Sequence, residues 1–104
     1  MTIREQIAEY NEEAIMFDDL DDAIIGMGQQ HGSQTVVIYD RQKCIEIFYH
    51  NFVKDQEEEA ERKLIDDELA EAWIEAIEWF EHNVECAYVG KNTPIFVERF
   101  EDGC

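Results

Sequence analysis

Residues 64–85 read LIDDELAEAWIEAIEWFEHNVE, and no other stretch limits the possible folds of this chain so strongly. Successive residues of an α-helix turn by about 100°. On that wheel Leu69, Trp73, Ala76, Ile77 and Phe80 fall on one side. Glu68, Glu71, Glu75, Glu78 and Glu85 fall opposite, with Glu81 at the edge of that face. The pattern predicts a helix over about 66–83, with Asp66 as its N-cap. Its apolar stripe needs a second layer to pack against. Its other face carries no Lys or Arg anywhere between 64 and 85.

Part of this charge is ordinary helix chemistry. Asp66, Asp67 and Glu68 lie at the positive end of the helix dipole and stabilise it, whereas Glu81 and Glu85 lie near the negative end and do not. Like-charge pairs such as Glu71/Glu75 and Glu81/Glu85 cost roughly 0.2–0.5 kcal/mol each. A typical stability of about 5–15 kcal/mol absorbs several of them. Stability alone would place Lys at some of these positions.

The remaining segments supply the layer. T-I-R-E at the start is a capping-box pattern, Thr2 to Glu5, and Ile3, Ile7, Tyr10 and Ala14 recur at helical spacing, so a first helix is expected over about 3–13. AIMF (14–17) and AIIGMG (23–28) read as strands on either side of the acidic turn DDLDD (18–22), and TVVIYD (35–40) is the clearest strand. Asp40 can cap a helix over 41–54, whose buried stripe is Cys44, Phe48 and Phe52 flanked by Ile45 and Ile47. DQEEEAERK (55–63) is either an exposed helical extension or a charged connection. AYVG and PIFVERF, separated by KNT, indicate a β-hairpin. The expected order is α-β-β-β-α-α-β-β. That is one small α+β domain over residues 1–104, with about three helices packed on one face of a mainly antiparallel sheet.

Charge decides which partners are possible. Eight basic residues against 26 acidic ones give a net charge of −18. Thirteen of the acidic residues lie between Asp55 and Glu85, where only Arg62 and Lys63 offset them. Such a chain repels nucleic acid and anionic membranes and attracts basic surfaces or cations. Solubility alone asks for a magnitude of only about 2–8 in a small domain. A hydrophobic content of 45% supports a real core rather than a disordered acidic tail. No apolar run is long enough for a membrane span, and MTIREQIAEY lacks the apolar region of a signal peptide, so a cytoplasmic location is expected. Cys44, Cys86 and Cys104 are odd in number and far apart, which fits reduced thiols, with Cys44 in the core.

Two acidic surfaces are candidate sites. The first is the helix face of Glu68, Glu71, Glu75, Glu78 and Glu81. Ile74 and Trp79 flank it, outside the core stripe. Trp79 either anchors a partner, as Trp commonly does at interfaces, or packs under the sheet edge or the 55–63 segment. The second is Asp18, Asp19, Asp21 and Asp22. These carboxylates suit a hard cation in chemistry but lack the alternating ligands, central Gly and twelfth-position Glu of an EF-hand. His31, His50 and His82 show no zinc spacing. No G-x-S-x-G, P-loop or dinucleotide fingerprint is present. No cofactor and no catalytic residue is therefore expected.

YNEEAIMFDDLDDAIIGMG (10–28), VVIYDRQKCIEIF (36–48) and EAIEWFEHNVECAYVGKNTPIFV (75–97) together resemble a group of small acidic proteins of tailed bacteriophages. The resemblance implies a phage or prophage origin and a bacterial host cytoplasm, with no activity to carry over. Phages encode many small acidic proteins that block host nucleic-acid-binding machinery, among them anti-restriction and anti-CRISPR proteins. The expected function is therefore a binding protein whose carboxylates imitate phosphates and occupy the basic groove of a host nucleic-acid-binding protein. One alternative is a phage accessory protein, homodimeric through the 94–97 strand, whose charge serves only solubility. Another is a small metal-dependent enzyme using the 18–22 aspartates.

Overall fold

The structure, a computed structural model, describes residues 1–87 and 90–100. It belongs to the α+β class and falls into two compact units. One comprises Met1–Lys43 together with residues 90–100, and the other comprises Cys44–Ala87.

The first unit opens with helix α1, Ile3–Tyr10. The Thr2 hydroxyl accepts the Glu5 N–H at 3.1 Å, the cap that the opening T-I-R-E predicts. The helix ends earlier than its apolar spacing suggests, because Asn11 turns extended at φ −162°. The Asn11 side chain then ties three segments together. Its Nδ2 donates to the Thr35 carbonyl at 2.8 Å and to Asn92 Oδ1 at 2.9 Å, and its Oδ1 accepts the Glu13 N–H at 3.0 Å.

Strands β1 (Ile24–Gln29) and β2 (Thr35–Asp40) form an antiparallel hairpin, with a bulge between Ile24 and Gly26. Gly32 in the connecting loop takes φ +81°, a conformation that favours glycine. Strand β3 (Ile95–Val97) pairs with β2 in parallel, Ile38 opposite Ile95 and Tyr39 opposite Phe96. The sheet is thus mixed, its longer ladder antiparallel as expected and its shorter one parallel, with β2 in the centre. Neighbouring strand residues point to opposite faces, and Val36, Val37 and Tyr39 are all buried, so both faces of β2 are covered.

Two expected strands need correction. Residues 14–17 form no strand. Phe17 instead lays its ring over the sheet, with centroids 6.1 Å from Tyr39 and 6.0 Å from Phe96, and its N–H donates to the Tyr39 hydroxyl at 2.9 Å. Side-chain stacking on the sheet face has replaced backbone pairing at its edge. The C-terminal hairpin is also replaced, since β3 pairs with β2 and not with a preceding neighbour. Tyr88 and Val89 of its expected first strand lie outside the described residues. The G-K-N-T segment does turn. Gly90 takes φ +97°, and its carbonyl accepts from the Thr93 N–H at 3.1 Å and the Thr93 hydroxyl at 2.6 Å.

The second unit is a helical hairpin. Helix α2 runs from Arg41 to Ala60, and its N-terminal end, where the boundary between the units falls, is capped by Asp40 Oδ1 accepting the Lys43 N–H at 3.2 Å. The 55–60 segment is therefore a helical extension. Glu61 ends it at φ +56°, and the Arg62 N–H reaches back to the Glu57 carbonyl at 3.3 Å, the hydrogen bond of a Schellman stop. Helix α3 runs from Asp66 to Phe80 and continues as one π-helical turn, Glu81–Glu85. Its N-cap is Ile65 rather than Asp66. Isoleucine has no side-chain acceptor, so Glu68 supplies half a capping box by accepting the Ile65 N–H at 3.1 Å.

Aromatic side chains hold α2 against α3. Tyr49 meets Trp73 with centroids 5.3 Å apart, and Phe52 meets Trp79 at 6.2 Å. Cys44, Ile45, Ala72, Ala76, Phe80 and Val84 are buried, and Leu69, Trp73 and Ile77 are half-buried, so the apolar stripe of the 64–85 wheel faces inward as expected. Among the described residues no helix is long and apolar enough to cross a membrane.

Candidate functional site

Helical spacing puts Glu71, Glu75 and Glu78 on one line along α3, four and then three residues apart. All three are exposed. Among the described residues none of the three has a Lys or Arg within ion-pair distance. Glu75 Oε2 accepts one long hydrogen bond, 3.4 Å, from Gln56 Nε2 on α2.

Glu68 and Glu81 differ from those three. Glu68 takes both arms of the Arg62 guanidinium, Nη1 to Oε1 at 2.8 Å and Nη2 to Oε2 at 2.9 Å. With the Ile65 N–H as a further donor, its carboxyl is held down at about 2. The same contact raises the Arg62 guanidinium. Glu68 thus secures the turn between the helices, and its charge is matched. Glu81, the first residue of the π-helical turn, is half-buried.

Trp79 packs against α2, at Phe52 rather than at the 55–63 segment. The two rings meet at an interplanar angle of 90°, yet Trp79 remains 49% exposed. Phe52, Glu75, Glu78, Trp79, His82 and Asn83 line an open depression of about 330 Å³ beside the acidic line. Asn83 Nδ2 donates to the Trp79 carbonyl at 3.2 Å. Ile74, on the opposite flank, is 55% exposed.

The second acidic patch belongs to the other unit. Asp21 and Asp22 sit in a short 3-10 turn, and Asp19 takes φ +68°. Arg4 of α1 donates to both Asp21 oxygens at 2.9 Å and lies 3.9 Å from Asp18. Its hydrogen bonds lower the Asp21 carboxyl and raise the guanidinium. The arginine supplies a positive charge among four aspartates. Among the described residues no group of three or more His, Cys, Asp or Glu side chains is placed to hold a metal ion.

The sequence reading did not anticipate Phe52 and Gln56, which complete the α3 face from α2. The sequence left the helical course of 55–60 open, and this pairing depends on it. An α2 continued to residue 60 and a short turn fold the chain back on itself, bringing position 56 beside 75 and 52 beside 79. No protein-family model, curated protein or solved structure matches the chain.

Proposed function

We propose that the exposed α3 face binds the basic groove of a nucleic-acid-binding protein and competes there with nucleic acid. In this reading the chain is a phage-encoded inhibitor acting on a host protein in the bacterial cytoplasm. The observation that carries it is the line Glu71, Glu75, Glu78, exposed and, among the described residues, without a Lys or Arg at ion-pair distance, with the half-exposed Trp79 beside it.

Charge density supports the same reading. Helix α3 has 15 residues and spans about 22 Å. Its six carboxylates, or five once Glu68 is matched by Arg62, give one charge per about 4 Å. One strand of duplex DNA carries a phosphate per about 3.4 Å of axis. The helix therefore imitates one strand, not a duplex, and suits a groove that grips a single backbone.

The test is capture from host lysate on the immobilised chain, washed at low and then high salt. Salt-labile recovery of one nucleic-acid-binding protein is expected. The triple variant Glu71→Lys, Glu75→Lys, Glu78→Lys should lose it while keeping its helical circular dichroism. Undiminished capture by that variant sinks the proposal.

A second reading, self-association through β3, draws on the 43% exposure of Ile95 on this edge strand. Copies carrying −18 repel one another, so such a dimer would tighten with added salt, whereas the inhibitor complex would loosen. Sedimentation at two ionic strengths separates them.

A further inference from the structure

We infer that the depression beside Trp79 receives one arginine side chain of the basic partner, and this inference rests on the binding role proposed above. Its lining is unusual for a helix surface. Two aromatic rings, Phe52 and Trp79, are bordered by the carboxylates of Glu75 and Glu78, with no Lys or Arg among the lining residues. A T-shaped pair uses the edge of one ring, so Phe52 covers at most one face of the indole.

A guanidinium suits this combination better than an ammonium. It is planar and weakly hydrated, stacks on an aromatic face, and presents a fork of N–H donors to a carboxylate. Cation–π attraction needs the cation within about 6 Å of the ring centroid. Glu75 and Trp79 are four residues apart, so their Cβ atoms stand about 5–6 Å from each other on the helix surface. A guanidinium over the indole therefore lies within reach of Glu75, which Gln56 helps to orient. The depression is at the small end of ligand pockets, which run about 300–1,000 Å³, and it is open. That suits a side chain laid in from a protein surface rather than an enclosed small molecule.

The experiment uses two blocked peptides of equal charge, tetra-arginine and tetra-lysine, titrated by calorimetry against the full chain and its variants. The arginine peptide should bind about two- to fivefold more tightly, the range expected for cation–π attraction at an exposed site. Trp79→Leu should abolish that preference by weakening the arginine peptide more than the lysine peptide, and Trp79→Phe, which restores an aromatic face, should keep part of it. Equal affinities in the wild type, or a preference that survives Trp79→Leu, overturn the arginine site and leave the charged-face proposal standing. Binding of both peptides unaltered by Glu71→Gln, Glu75→Gln, Glu78→Gln overturns the charged face itself. Melting curves on each variant separate loss of fold from loss of site.

Discussion

Arg62 grips both carboxylate oxygens of Glu68 across the turn that joins α2 to α3, at 2.8 and 2.9 Å. The chain thus uses one of its few cations on its own turn. The acid response follows. Glu68 titrates near 4.5 when unfolded and at about 2 when folded. A depressed carboxyl contributes stability that is complete above the unfolded value and is lost as pH falls through the folded one. The melting temperature of wild type should exceed that of Glu68→Gln by a constant margin above about pH 5. The margin should close between about pH 4.5 and 2. Parallel thermal melts across that range check it, and a margin that stays open at pH 2 contradicts the assignment.

Glu61 ends α2 in the left-handed region, at φ +56°, where a Cβ is unfavourable. Glu61→Gly keeps the stop and removes the strain. It should raise stability by about 1 kcal/mol, read as a higher urea midpoint at unchanged slope.

Tyr39 is fully buried, and its hydroxyl accepts the Phe17 N–H. Tyr39→Phe keeps the ring stack and deletes the acceptor. It should cost about 1–3 kcal/mol in denaturant unfolding, because the Phe17 N–H loses its partner. A neutral substitution would mean that water replaces the hydroxyl.

The acidic line opposes folding at low ionic strength. Salt screens repulsion among exposed carboxylates, so the melting temperature should rise between about 0.01 and 0.5 M sodium chloride. Glu71→Gln relieves a like-charge pair with Glu75 and should stabilise by about 0.2–0.5 kcal/mol at the low-salt end only. A melting temperature that falls with salt would show that attractive pairs outweigh the repulsion.

The α+β class, strand β2 and the inward stripe of α3 were legible because each rests on local periodicity. Alternation across 35–40 and the recurrence of Leu69, Trp73, Ala76 and Phe80 need no knowledge of distant residues. The parallel seating of β3 was not legible. Proline, asparagine and glycine near residue 90 signal a turn, but no local feature says which strand the following residues will join. Residues 14–17 misled for a related reason. Phe17 is apolar enough for a strand, and only the rings of Tyr39 and Phe96 decide that it stacks instead. At the candidate site the carboxylates could be placed from the wheel alone. The commitment of Glu68 to Arg62 and the contribution of Phe52 depend on how the helical hairpin closes.

The parallel register of β3 on β2 also sets an order of assembly. Asp40 meets Val97 across the whole helical hairpin, so the pairing closes a long loop and raises the contact order of an otherwise local topology. During synthesis the α2–α3 hairpin can form while β2 still lacks its second neighbour, β3. Residues 95–97 must leave the ribosome before the sheet is complete, and until then β2 keeps one edge open to pairing with other chains.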